Sequence, residues 1–164
     1  MSDAIVKNQF VDVQNAREEE QRAVMQTIID NAECPFCPAN VRKYHKQPFL
    51  KEGTYWRLTT NQWPYPHTKH HFLLIYREHI EKLAQLDPAA GVELLQMCQW
   101  LEQEYQIPGG GLAMRFGDTD YSAGTVAHLH AQLLVPDIMA AEYDDKPVKV
   151  TIGKTWKKRG STPS

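Results

Sequence analysis

An α+β fold, an antiparallel sheet with helices packed to one side, is what this 164-residue sequence predicts. Two observations carry the expectation. Short runs of β-branched and aromatic residues are punctuated by Gly, Pro, Asn and Asp, and the two helical stretches lie among them without regular βαβ alternation. The length suits one hydrophobic core, so we expect a single domain over residues 1–153, followed by a basic tail over 154–164.

Taken in order, Asn15 is placed to cap a helix running to about Ala32. Glu18 stands three residues on, and Val24, Ile28 and Ile29 form a partial apolar stripe. The acidic run Glu18-Glu19-Glu20 then falls in the first turn, where the helix dipole favours it. Residues 49 to 60 read as strand, with Gly53 as a turn or bulge, and His71 to Tyr76 reads as a short buried strand. Asp87 before Pro88 signals a second helix, which ends before Pro108 and the Gly109-Gly110-Gly111 loop. Strands follow over 112–116 and 126–135, the latter stopped by Pro136, and a last strand is expected over 148–152. Lys154 to Ser164, with Lys157, Lys158 and Arg159, reads as a solvated, frayed end.

Composition narrows the function classes. A net charge of -2 gives no general attraction to nucleic acid or to an anionic membrane, so any anion must be held by a local site. No stretch is apolar enough to span a bilayer, and the first residues lack the order of a signal peptide, so a cytoplasmic location is expected. Three cysteines are too few for a disulfide framework. Cys98 reads as core.

Chemistry is concentrated in three places. On the strand near residue 130, His128, His130 and Gln132 alternate with Leu129, Ala131 and Leu133, so a period of two puts the polar set on one face. Two histidines and an amide in strict alternation suit a site better than a structural strand. The second place is Cys34-Pro35-Phe36-Cys37, whose spacing lets both thiolates meet one zinc ion, with His79 and His128 as candidates for the remaining ligands. A redox pair or two unrelated thiols are the alternatives. The third is Asn61-Gln62-Trp63-Pro64-Tyr65, either a plain connection between strands or a ribose-contacting asparagine beside base-flanking aromatics.

His128-Leu129-His130-Ala131-Gln132-Leu133-Leu134 resembles the signature of the histidine triad superfamily, with glutamine as third member. That variant is the form of its nucleotidyltransferase branch, which includes galactose-1-phosphate uridylyltransferase and the dinucleoside polyphosphate phosphorylases. Asn61 to Tyr65 and His71 to Ile80 resemble the strand, loop and strand that carry a nucleotide-contacting asparagine there. The resemblance covers roughly residues 34–135. Phe116 departs from it, standing where the family has an asparagine before Gly117.

The resemblance implies a triad-type antiparallel sheet with flanking helices and a structural zinc on Cys34, Cys37, His79 and His128. It implies His130 as a nucleophile forming a nucleotidyl-histidine intermediate, Gln132 as a donor to the phosphoryl group, Asn61 as a ribose contact and Thr125 as an α-phosphate contact. An amide third member cannot supply a proton, which favours phosphate leaving groups over amines and hence nucleotidyl transfer or phosphorolysis. Nucleotide hydrolysis, or a zinc-stabilised nucleotide-binding module without turnover, stands as the alternative. A small-molecule nucleotide is the partner expected, and many relatives are homodimers across a helix and a sheet edge.

Overall fold

The computed structural model describes residues 7–143 and 146–155. Five strands form one antiparallel sheet: β1 (Phe49–Glu52), β2 (Trp56–Thr60), β3 (Thr68–Tyr76), β4 (Gly111–Arg115) and β5 (His130–Pro136), in the order β1-β2-β3-β5-β4. The helices are α1 (Glu19–Asn31), α2 (Val41–Tyr44), α3 (Pro88–Glu104) and α4 (Thr119–Ser122). The expected α+β class is what the chain adopts.

Alternation along the strands divides the sheet. Trp56, Leu58, Phe72, Leu74, Leu129 and Ala131 face α3, whose Ala90, Leu94, Met97 and Leu101 complete the main core. Cys98 is half-buried against this cluster. α3 begins where the sequence placed it: the Asp87 carboxylate accepts the Ala89 N–H at 2.9 Å, and Pro88 occupies the first turn, where no amide hydrogen is needed. Helix and sheet are further tied by Trp56 Nε1, which donates to the Ala90 carbonyl at 2.8 Å. Glu93 accepts from the backbone amides of Thr54, Tyr55 and Trp56 in the β1–β2 turn. A Cβ at Gly53 would stand 2.5 Å from Glu93 Cδ, so a larger residue there would push the carboxylate off these amides.

The opposite face carries His71, Leu73 and Ile75 of β3 and His130 and Gln132 of β5. Across it, register aligns Arg57 with Ile75, Ile75 with His130 and His130 with Arg115. α1 presents Gln21, Met25, Ile28 and Ile29 as its buried face, and it ends at Ala32 in the left-handed conformation, φ 52°.

Three sequence expectations are corrected. Asn15 does not cap α1: it closes a 3-10 turn over Val13–Asn15, and its amide donates to the Gly124 carbonyl at 2.7 Å, a long-range bond that takes the side chain from the helix. Glu18 holds the cap position instead, without a side-chain bond. The strand expected over 126–135 begins only at His130, since Val126 makes a single bridge to Val11 and the chain bends through His128. Residues 148–152 join no strand; the segment passes the cavity described below, and the Thr151 carbonyl is taken by the Arg115 side chain.

The side chain of Lys154, at the start of the expected tail, is almost fully buried and forms an ion pair with Asp12, with Asp120 3.0 Å away. The tail cations Lys157, Lys158 and Arg159 lie outside the described residues. Among the described residues no helix is long and apolar enough to cross a membrane.

Candidate active site and metal centre

His130 and Gln132 open into a cavity of about 230 Å³ between the sheet, α1 and the 149–155 segment. Its apolar end is formed by Val24, Met25, Ile28, Phe36 and Tyr44, and Asn61 and Thr125 also stand on its wall. The residues that the sequence singled out from three separate segments therefore meet at one place.

The two ring nitrogens of His130 differ in role. Nδ1 lies 2.7 Å from the His128 carbonyl oxygen, which can only accept, so Nδ1 carries the proton and Nε2 the lone pair. Burial, with the Arg115 charge adding to it, depresses the His130 pKa to about 4, so the ring is neutral at physiological pH.

Gln132 is oriented by His71, a residue the sequence marked only as the start of a strand. His71 Nδ1 accepts the Tyr65 backbone N–H at 3.0 Å, which leaves its proton on Nε2. Nε2 then donates to Gln132 Oε1 at 2.8 Å. The glutamine oxygen is thereby fixed towards the protein, and its NH2 group, which has no acceptor among the described residues, is left for the cavity. Burial holds His71 at about 4 as well, so this bond does not depend on a charged imidazole. Tyr65 packs on the same imidazole, ring centroids 4.6 Å apart. A second unflagged histidine, His45, also lines the cavity; its Nε2 donates to Thr59 Oγ1 at 2.8 Å, since that hydroxyl gives its own proton to the Pro48 carbonyl.

Asn61 is partly committed. Its Oδ1 accepts the Trp63 N–H at 2.8 Å, and its Nδ2 stands 3.1 Å from His71 Nε2, whose proton is directed to Gln132, so a ligand could meet only its amide hydrogens. Thr125 is half-buried, with its carbonyl accepting from Asp12 N at 2.9 Å.

On the other side of His130, ligand atoms of Cys34, Cys37, His79 and His128 all lie within 4.8 Å of one another. Cys34 Sγ is 3.3 Å and Cys37 Sγ 3.9 Å from His128 Nδ1, and Cys37 Sγ is 3.5 Å from His79 Nδ1. Donors around a tetrahedral zinc with bonds of about 2.0 to 2.3 Å are separated by roughly 3.3 to 3.8 Å, so the Cys34–His128 and Cys37–His79 pairs match and the wider pairs need to close in by up to about an ångström around an ion. The histidines are also correctly set: His128 Nε2 donates to the Tyr76 carbonyl at 2.6 Å, turning the Nδ1 lone pair to the thiols, and His79 Nε2 faces Glu81 at 3.3 Å. Burial pushes the Cys34 thiol up to about 12, so without a cation that thiol stays protonated. Phe36, within the Cys34–Cys37 loop, stands edge-on to both His128 and His130, at 5.9 and 5.3 Å between centroids.

No protein-family model matches the chain, and no curated protein matches it. Solved structures do. A hypothetical protein from Leishmania major superposes with a TM-score of 0.51 at 15% identity, over 70% of this chain and 77% of that one. A hypothetical histidine triad nucleotide-binding protein from Sulfolobus tokodaii strain 7 gives 0.48 at 18% identity, over 73% and 80%. A Zn-bound histidine triad family protein from Mycobacterium smegmatis gives 0.47 at 21%, over 63% and 75%.

The fold is an α+β antiparallel sheet with flanking helices, shared with the Leishmania major protein.

The likeness is one of fold. Within this sheet, β5 supplies His130 and Gln132, β3 supplies the histidine that aims the glutamine, and the bend before β5 supplies His128. His71 and His45, which sequence reasoning did not single out as site residues, carry no spacing signal because their partners Gln132 and Thr59 are 61 and 14 positions away.

Proposed function

We propose that this chain is a histidine triad enzyme that attacks the α-phosphate of a nucleotide or dinucleoside polyphosphate. The observation that carries the reading is the His130 tautomer: with Nδ1–H held by the His128 carbonyl, a neutral Nε2 lone pair faces the cavity. Nε2 forms a bond to the α-phosphorus as the bond from phosphorus to the leaving phosphate breaks, and the leaving group departs with the electron pair. Gln132 donates its amide hydrogens to a non-bridging oxygen, where charge must be stabilised. The nucleotidyl group then passes to phosphate or a sugar phosphate, regenerating free His130; water as acceptor gives hydrolysis instead.

The remaining residues have supporting roles in this reading. Thr125 contacts the α-phosphate, Asn61 donates to a ribose oxygen, and the apolar end of the cavity takes the base. Cys34, Cys37, His79 and His128 hold a zinc ion whose four positions are filled by protein, which suits a structural ion that cross-links the loop to the strand. A homodimer across α3 and the free edge of β4 would cover the exposed Val92, Leu95 and Leu112.

Mass spectrometry of the intact protein after incubation with a panel of nucleoside triphosphates and dinucleoside polyphosphates tests the proposal. A gain of one nucleotidyl mass is expected on the native protein and none on His130→Ala. Full turnover by His130→Ala would remove the covalent mechanism, and the acceptor is read from which added compound releases the adduct.

A further inference from the structure

Arg115 is the cross-strand partner of His130 in the β4–β5 register, so the two side chains rise from the same face of the sheet. Directly opposed residues of an antiparallel pair have Cβ atoms only about 4.5 to 5.5 Å apart. Among the described residues the guanidinium is pinned there by neutral groups alone: Nη1 donates to Tyr65 Oη at 2.6 Å, Nη2 donates to the Thr151 carbonyl at 2.9 Å, and Nε is buried without a partner. Arg17 approaches from the rim, its guanidinium 4.2 Å from the Tyr65 ring centroid and bonded to the Trp63 carbonyl, while Arg115 stands 5.9 Å from the same ring.

Two like charges on one ring repel, and the usual remedy is absent. Among the described residues neither arginine forms an ion pair with a carboxylate, whereas Arg22, Arg42 and Arg57 each do. Lys154, which also lines the cavity, is neutralised by Asp12 and Asp120. Lys149 adds an exposed ammonium to the same wall. Among the described residues the positive charge beside His130 is thus concentrated and has no carboxylate paired to it, Glu18 acting on Arg17 only from beyond contact, in a cavity whose lining is otherwise partly apolar.

We infer that Arg115, Arg17 and Lys149 form a subsite for the phosphates beyond the one that His130 attacks, so that the substrate class is a nucleotide with an oligophosphate leaving group. The inference rests on the nucleotide reading of the site. Arg115, fixed beside the nucleophile, holds the phosphate next to the α position and takes up the charge that develops on its departure; Arg17 and Lys149 hold the remainder of the chain near the rim. This supplies electrostatically what a third histidine would supply as a proton, and it needs no acid with a tuned pKa. It also explains the Tyr65 hydroxyl, whose acceptance from Arg115 links the subsite to the ring that packs on His71.

Calorimetric titration in magnesium-free buffer, with adenosine and uridine mono- and triphosphates and with inorganic tripolyphosphate, tests the subsite at low and high ionic strength. The native protein is expected to bind a triphosphate about tenfold or more tighter than its monophosphate, the size of one or two charged hydrogen bonds, with the preference shrinking as salt is added. Arg115→Gln and Arg17→Gln should each reduce that ratio, the pair should bring it below about threefold, and Arg115→Lys should retain part of it. Circular dichroism melting checks the fold of each variant; Arg17 lies outside the sheet, so Arg17→Gln carries the test if Arg115→Gln does not fold. Equal affinity for mono- and triphosphates in the native protein, or an unchanged ratio in the double variant, would overturn the subsite while leaving His130 chemistry standing. Binding of tripolyphosphate without any nucleotide would support the subsite and overturn the nucleotide reading, and binding of none of the probes would overturn both.

Discussion

Replacing His71 by Phe keeps a buried aromatic ring but removes both nitrogens that link Tyr65 to Gln132. The Tyr65 N–H loses its acceptor at 3.0 Å and Gln132 Oε1 its donor at 2.8 Å. A buried polar group left without a partner costs about 1 to 3 kcal/mol. Two such groups give a range of about 2 to 6 kcal/mol, and the lower half applies because the freed amide can rotate towards the cavity. The second effect is on rate. Once free to turn, the amide presents oxygen as readily as NH2 to the phosphoryl anion, so nucleotidylation should slow by about 10- to 100-fold, short of the roughly 100- to 1,000-fold expected when an oxyanion donor is deleted outright, as in Gln132→Ala. Urea denaturation measures the first quantity and single-turnover mass spectrometry the second. A stability loss under about 1 kcal/mol together with an undiminished rate would show that His71 does not orient the glutamine.

Three further outcomes are expected. Protein purified without chelator should contain one zinc per chain by elemental analysis, and Cys34→Ser should lower both metal content and melting temperature; folded protein free of transition metal would end the zinc assignment. Asn61→Ala should weaken nucleotide binding by about 1 to 3 kcal/mol without unfolding the chain, and an unchanged dissociation constant would return Asn61 to a turn role. Burial, with Arg42 nearby for His45 and Arg17, His130 and Arg115 nearby for His71, depresses both pKa values to about 4, while the Gln132 hydrogen bond opposes the shift at His71. The neutral form is thus favoured by folding. The stability each contributes is full above the unfolded value near 6.5 and is lost as pH falls from there towards 4, at most about 3 kcal/mol apiece. Melting temperature should hold above pH 7 and decline below 6.5, less steeply in His71→Phe, and a flat profile would contradict the assignment.

The site was legible in the sequence where its logic is local. Alternation of His128, His130 and Gln132 with apolar residues follows from strand periodicity, and Asp87-Pro88 marked α3 because a cap and a first turn involve neighbours only. What could not be read was pairing across distance. Arg115 faces His130 only because β4 pairs with β5 in one register, and a slip of a single residue would put it on the α3 face. Asn15 looks like a helix cap because nothing in its neighbours announces Gly124, and Val148, Val150 and Ile152 alternate like a strand although the segment pairs with neither edge of the sheet.

His128 has a double attachment: its imidazole belongs to the cysteine and histidine cluster, and its carbonyl oxygen receives the Nδ1 proton of His130. The side chain that closes the cluster and the carbonyl that sets which His130 nitrogen bears the proton thus belong to one residue, whose ring is anchored on the Tyr76 carbonyl at 2.6 Å. A side-chain substitution at position 128 would therefore remove one ligand atom from the cluster and still leave the carbonyl that His130 leans on, so the two arrangements can be perturbed separately.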